Sequence, residues 1–353
     1  MESVALETSG KSIVIAASAV IIAAGIKVAA DLIVPFLLAA FISMVATTPL
    51  FWLQKKNIPT WLAISAVTAS VVAVLVGFGA VVTQSANSFL TRLPYYKERL
   101  ATGLLEPIQA LTPSGQIYEQ LLSYFNPGTA LDLAGRIIGS LSDLLSNSFL
   151  ILLTVIFILA EATSFPKKLE AILRNPTASM PYFREFATNV NQYLAIKTIV
   201  SMLTAATITI GLIAIGFDFP VLWGVLAFFL NFIPTIGSII AAVPAVLLAL
   251  LQLGQLEAIT TAMLYLVTNI IVGNALEPRF MAKGLGLSAL IVFLSLIFWG
   301  WMLGPIGMLL SVPLTITAKL ALEANPSTTR VANLLSPESP APKFNKKSKD
   351  YDV

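Results

Sequence analysis

Cysteine and histidine are both absent from the 353 residues. The chain therefore forms no disulfide, offers no thiolate or imidazole to a metal or cofactor, and holds neither a Cys nucleophile nor a Ser-His-Asp arrangement. Charge is scarce too: Asp, Glu, Lys and Arg make up 11% of the chain, against roughly 25% in soluble domains. The net charge of +3 is spread through loops and tail, so no basic face is expected to meet a nucleic acid. No GxxxxGK[ST] loop occurs, which leaves any transport secondary or facilitated. No carboxylate pair lies within an apolar run to activate water, so an intramembrane enzyme is not expected. Nor is a cleaved signal peptide, since Ser3, Glu7 and Ser9 precede the first apolar run and no small-residue cleavage site with a polar continuation follows it.

What fills the chain instead is apolar. Hydrophobic residues reach 57% and arrive in long charge-free blocks, so an all-α polytopic membrane protein of about eight membrane segments is expected. A bilayer core takes about 20 apolar residues per helix. Single spans are accordingly expected at 13–30, 32–53, 57–83, 144–160, 198–217 and 258–276. Lys27 and Asp31 separate the first two and, four apart, share a helical face where they can pair.

The stretches 219–256 and 284–318 carry no charge and exceed one span each. Proline removes a backbone donor and clashes with the preceding turn, so Pro234 with Gly237, and Pro305 with Gly304 and Gly307, are natural breaks. Both blocks share one pattern, an apolar half, a Pro and Gly break, then a second half with Val-Pro. Pro234, Gly237, Val243 and Pro244 answer to Pro305, Gly307, Val312 and Pro313. Each block is read as a re-entrant hairpin rather than a kinked full span.

Basic residues orient the chain. With the N-terminus in the cytoplasm, Lys11, Lys55, Lys56, the basic residues from Lys167 to Lys197, Arg279, Lys283 and those from Lys319 to Lys349 fall inside. Lys27, Arg92, Lys97, Arg99 and Arg136 fall outside. This is the positive-inside bias, and it places both termini in the cytoplasm. The two broken blocks, each preceded by a single span, then enter from opposite sides and form an inverted repeat, a recurrent transporter architecture.

The expected organisation is a three-span scaffold at 1–83, an outer insert at 84–143, a fourth span and cytoplasmic linker at 144–197, a transport unit at 198–322 and a tail at 323–353. Pro94, Pro107, Pro113 and Pro127 divide the insert into short amphipathic helices lying against the membrane, to serve as lid, homo-oligomer contact or connector. The Pro- and Ser-rich tail, with Lys343, Lys346, Lys347 and Lys349, is expected to be disordered, in weak contact with lipid.

Three motifs in order carry a family resemblance: NFIPTIGSIIAAVPAVLLAL from Asn231, GNALEPRFMAKGLGLS from Gly273 and FWGWMLGPIGMLLSVPL from Phe298. They resemble the autoinducer-2 exporter family of bacterial membrane proteins. Two positions depart from it, Ala282 where many relatives carry Gly and Ala289 where many carry Pro. The resemblance implies a permease of the bacterial inner membrane that exports the signal autoinducer-2 or, as assigned to some members, exchanges cations for protons.

Candidate site residues cluster in the same blocks. Asn231, Asn269 and Asn274 are amides in apolar sequence, able to donate and accept toward a polyhydroxylated solute or to bond between helices. Thr235 and Ser238 flank the first break, where Pro234 and Gly237 free backbone groups that can ligate a solute or small cation. Glu277, Pro278 and Arg279 place a carboxylate and a guanidinium at a span end, to pair, to gate or to anchor at the interface. Asp218 and Glu257 lie at the outer ends of the first block and Phe298, Trp299 and Trp301 form an aromatic run, both read first as interfacial or packing features. The expected function is export of a small polar solute by alternating access. A monovalent cation–proton antiporter and a non-transporting membrane scaffold are the alternatives.

Overall fold

In a hydrocarbon core every backbone N–H and C=O must find a partner within the protein, and these long apolar segments do so as helices. The computed structural model describes residues 17, 18, 20–100, 127–146, 148–162, 164–172, 176–234, 236–280, 287–323 and 328–336, and among these no strand occurs. Helix α1 (20–28) ends in a turn at Ala29 before α2 (Ala30–Lys55) and α3 (Thr60–Leu100). Then follow α4 (Pro127–Ser146), α5 (Ser148–Ala162), α6 (Phe165–Ile172) and α7 (Pro176–Ile215). The C-terminal half holds α8 (Pro220–Leu230), α9 (Gly237–Gln252), α10 (Gln255–Thr268), a π-helix (Asn269–Leu276), α11 (Glu277–Phe280), α12 (Ala289–Leu309), α13 (Ser311–Glu323) and α14 (Thr329–Leu334).

Five described stretches are long and apolar enough to cross a bilayer: α2, α3, Ala187–Ile215 of α7, α10 with its π-helix, and α12. A sixth arises if α5 and α6, bent by 68° at their junction, are counted together. Their outer faces carry Ile199, Met202, Ile210 and Ile213 on α7, and Ile259, Met263 and Leu266 on α10, all exposed. Such a continuous apolar belt suits lipid and not water. The chain is a multi-pass, all-α membrane protein.

Three packing centres hold the described helices together, two of them at the heart of the fold. Ala39, Ser43, Ala46 and Leu50 form a buried stripe of mostly small residues on α2, and the hydrophobic members pack with Ile151, Val155 and Leu159 of α5. Small side chains let membrane helices approach closely, and the Ser43 hydroxyl donates to the Ala39 carbonyl at 2.7 Å rather than remaining unpaired. The larger core surrounds Trp223 of α8, fully buried and edge-on to Phe89 of α3 with ring centroids 5.7 Å apart. It joins α3, α4, α7, α8 and α9 to α12.

Several sequence-based boundaries shift. The third helix does not stop at the membrane: α3 runs on to Leu100, so 84–100 continues a span instead of forming separate helices. Pro94 is tolerated because Phe89, Tyr96 and Leu100 bury on both sides of it and offset the lost hydrogen bond. Pro127 opens α4, which packs on α3, while Pro107 and Pro113 lie outside the described residues. The expected fourth span begins in α4, and α5 starts at Ser148. In the tail, α14 is ordered, with Ala332 buried and the Leu335 carbonyl accepting from the Ser288 N–H at 3.0 Å. Residues 337–353 lie outside the described set. Lys27 lies over the Trp301 ring at 4.0 Å, a cation–π contact across helices where a local pair with Asp31 was expected.

Candidate functional site

The first broken block folds back on itself. Phe219 adopts a left-handed backbone (φ 56°, ψ 47°) that turns the chain into Pro220, the first residue of α8. After Leu230 the chain turns at 231–234 and re-enters helix at Gly237, the start of α9. At the far end, the Gln252 amide donates to the Asp218 carboxylate at 3.0 Å and its carbonyl accepts from the Asp218 N–H at 3.3 Å. The block thus leaves and returns at one end. At the tip, a Cβ on Gly237 would run into the Leu230 carbonyl, so only glycine allows the two arms to meet there.

The second block turns at Gly304, whose φ of 69° and ψ of −155° break α12 immediately before Pro305. Here a Cβ on Gly307 would meet the Trp299 carbonyl. The Trp299 indole donates to Thr315 of α13 at 3.0 Å, tying the arms below the turn. Pro313 is buried in the first turn of α13, where a missing N–H costs no helical bond. Leu309 and Leu310 of this block and Phe228, Phe229 and Phe232 of the first line one apolar groove.

Helix α7 carries polar residues that meet the first break and the end of the π-helix. Lys197 and Ser201 lie four residues apart, one turn of one face. The Asn231 amide, at the first break, donates to the Ser201 hydroxyl at 2.9 Å. Lys197, only 4% exposed, is ion-paired with Glu277 at 2.5 Å, whose side chain is 19% exposed. Sequence reasoning placed Lys197 in a cytoplasmic linker and gave Glu277 a neighbour in Arg279. Instead the carboxylate reaches across to α7, while Arg279 and Asn274 are exposed. The π-helix is what delivers Glu277 there, since its wider turn inserts a residue and re-aims the side chains that follow, as such segments often do at functional sites.

A cavity of about 790 Å³ opens between α4, α9 and α10. Ser238 and Asn269, two of the candidate residues, both line it, along with Pro244 and Val243. Tyr265 also lines it, is 6% exposed, and its hydroxyl has no partner among the described residues. Sequence reasoning missed Tyr265, whose only signal is its position one turn before Asn269. The lining is otherwise largely apolar and without charge, so the cavity suits an uncharged solute with a few hydrogen-bonding groups. Pro305, Gly307 and Pro313 belong to the other hairpin and do not line it, and Thr235 lies outside the described residues. The backbone of Pro234 and Pro278 is described, one in the first turn and one in α11. Glu257 sits in the first turn of α10, where a helix N-terminus favours a carboxylate. Among the described residues no group of three carboxylates converges to hold a metal ion.

The Asn231–Ser201 bond is expected to contribute modestly. Asn231→Leu and Ser201→Ala should each lower stability by about 0.6 kcal/mol, the average for hydrogen bonds between membrane helices, and the double variant by little more. Reversible unfolding of the four proteins in a double-mutant cycle measures it; losses that simply add would mean the two side chains are uncoupled.

Residues 16–327 match the family described as AI-2E family transporter. The chain is 40% identical over 332 residues to the AI-2 transport protein TqsA of Escherichia coli (strain K12), covering 92% of this chain and 95% of that protein. It is 38% identical over 329 residues to a putative transport protein of Haemophilus influenzae, covering 90% and 94%. Against the putative transport protein YhhT of Escherichia coli (strain K12) it is 36% identical over 327 residues, covering 92% and 93%.

Proposed function

From the premise that the chain belongs to the AI-2E family of transporters, we propose that it is a secondary or facilitated permease exporting a small polar solute, autoinducer-2 in the first instance, by alternating access. The observation that carries the reading is the cavity lined by Ser238, Tyr265 and Asn269, three polar residues in an otherwise largely apolar and uncharged wall. A few polar groups in an apolar wall fix the orientation of a small hydroxylated solute.

Alternating access needs barriers at both ends of the path. Asp218 and Lys197 are 21 residues apart on or just beyond α7, about 30 Å at helical rise and close to the thickness of a bilayer core. One anchors the base of the first hairpin and the other holds Glu277 at the opposite end. Supporting opposite senses for the hairpins, the first brings its tip to Ser201, while Val292 and Val312 near the base of the second pack with Val190, Tyr193 and Leu194 of α7. We take 198–322 as the transport unit in an inverted repeat, 1–83 as its scaffold, and both termini as cytoplasmic. A homo-oligomer built through the outer insert is part of the same proposal.

A second reading, cation–proton exchange, gains from the Lys197–Glu277 pair, because an ionisable pair set among membrane helices marks ion and proton pathways. Reconstituted liposomes separate the two. Autoinducer-2 flux and internal pH are followed together under imposed sodium, potassium and proton gradients. Flux of the signal is expected, reduced at least tenfold in Tyr265→Phe/Asn269→Leu. A cation-driven pH change without signal flux, lost in Glu277→Gln, would move the reading to the antiporter; no flux of either kind would leave a scaffold.

A further inference from the structure

A second pocket, of about 380 Å³, lies at the base of the first hairpin, shares no lining residue with the solute cavity, and is lined by Arg92, Tyr95, Tyr96, Arg99, Asp218, Gln252 and Leu253. Its one carboxylate is held through one oxygen: Asp218 Oδ2 accepts from Arg92 at 3.3 Å, from the Tyr96 hydroxyl at 3.0 Å and from Gln252 at 3.0 Å. Arg92 is further steadied by the Phe219 ring, 5.4 Å from its guanidinium carbon. Arg99 differs. Among the described residues its side chain donates to the neutral Tyr95 hydroxyl at 3.2 Å and meets no carboxylate. Because that hydroxyl oxygen accepts from Arg99, its own proton is free to point into the pocket. Two guanidinium groups against one carboxylate leave a donor-rich space with a net positive charge. Arg92 and Arg99, seven residues apart, stand two turns apart on one face of α3.

We propose that this pocket binds a phosphate-type oxyanion between the Arg92 and Arg99 guanidinium groups, with the Tyr95 hydroxyl as a further donor. The planar fork of arginine matches phosphate oxygens in pairs, and the lining sets two guanidinium groups against a single carboxylate. The volume admits a phosphate with bound water, or a phospholipid headgroup entering from the interface. Because Arg92 also holds Asp218, the occupied pocket bears on the base of the first hairpin.

The test uses the full-length protein in phosphatidylcholine nanodiscs titrated with inorganic phosphate, against chloride at equal ionic strength, with the thermal unfolding midpoint as readout. A second arm replaces part of the lipid with phosphatidylglycerol and omits phosphate. A saturable rise in midpoint is expected in at least one arm, weakened at least tenfold in apparent affinity by Arg99→Gln and less by Tyr95→Phe. A rise with inorganic phosphate identifies a free anion, and a rise with phosphatidylglycerol alone identifies a headgroup. Both side chains are exposed and outside the Asp218 network, so both variants should fold with the wild-type midpoint in chloride. If Arg99→Gln fails to fold, Tyr95→Phe carries the test. No rise in either arm, or a rise that both variants retain in full, overturns the proposal.

Discussion

Neutralising one member of the Lys197–Glu277 pair is expected to destabilise the protein by about 3 kcal/mol, the lower end of the range for breaking a buried ion pair. The reason is asymmetric. Lys197 at 4% exposure cannot recover its hydration if Glu277→Gln leaves it alone, whereas Glu277 at 19% exposure retains some contact outside the protein. Lys197→Met should therefore cost less than Glu277→Gln, because the charge it strands is the more exposed one. Replacing both, as Lys197→Met/Glu277→Met, removes the charges together, and most of the stability should return. Gradient-driven flux should not return, if the pair forms and breaks as one end of the path closes and opens. Unfolding midpoints and liposome flux on the four proteins give the result. Full flux in the double variant would reduce the pair to a structural contact.

That pair also marks where sequence reasoning stops. Spans were legible because twenty apolar residues in a row have few other uses, and the Gly304–Pro305 and Pro234–Gly237 breaks were legible because each residue type disrupts a helix for a local reason. The ends of helices were not. Helix α7 begins at Pro176, well before its apolar stretch, so Lys197 is an interior residue although it reads as the edge of a loop. Its partner lies 80 positions away, and the side chain that meets it is aimed by a π-helix. One extra residue in a turn leaves no trace in hydropathy. Asn231 was singled out as a costly buried amide, yet its partner Ser201 is one of many serines and nothing local sets it apart. Asn274 and Arg279 carry the same chemistry as residues that matter in the site, and only the course of the chain turns them outward.

The tip of the first hairpin should tolerate no side chain. In Gly237→Ala the new Cβ would fall on the Leu230 carbonyl, a backbone atom that cannot rotate aside as a side chain would. The arms must then separate or the tip must unwind. Strain of this kind typically costs about 1–3 kcal/mol, and Gly237→Leu, which adds bulk at the same point, should exceed it. Gly77→Ala on α3 is the control: nothing lies within 4 Å of its Cβ, and a helical alanine there should be neutral or stabilising by up to about 1 kcal/mol. Gly307→Ala repeats the experiment at the second hairpin, where the obstructing atom is the Trp299 carbonyl. If the two breaks serve one transport cycle, both variants should lose flux in proportion to the closeness of these contacts, while Gly77→Ala keeps it. Adding Pro234→Ala to Gly237→Leu removes the helix-breaking residue as well and should abolish flux even where folded protein is recovered. Wild-type flux from Gly237→Ala would show that the arms need not meet at this tip, and the solute path would then have to be sought away from the broken blocks.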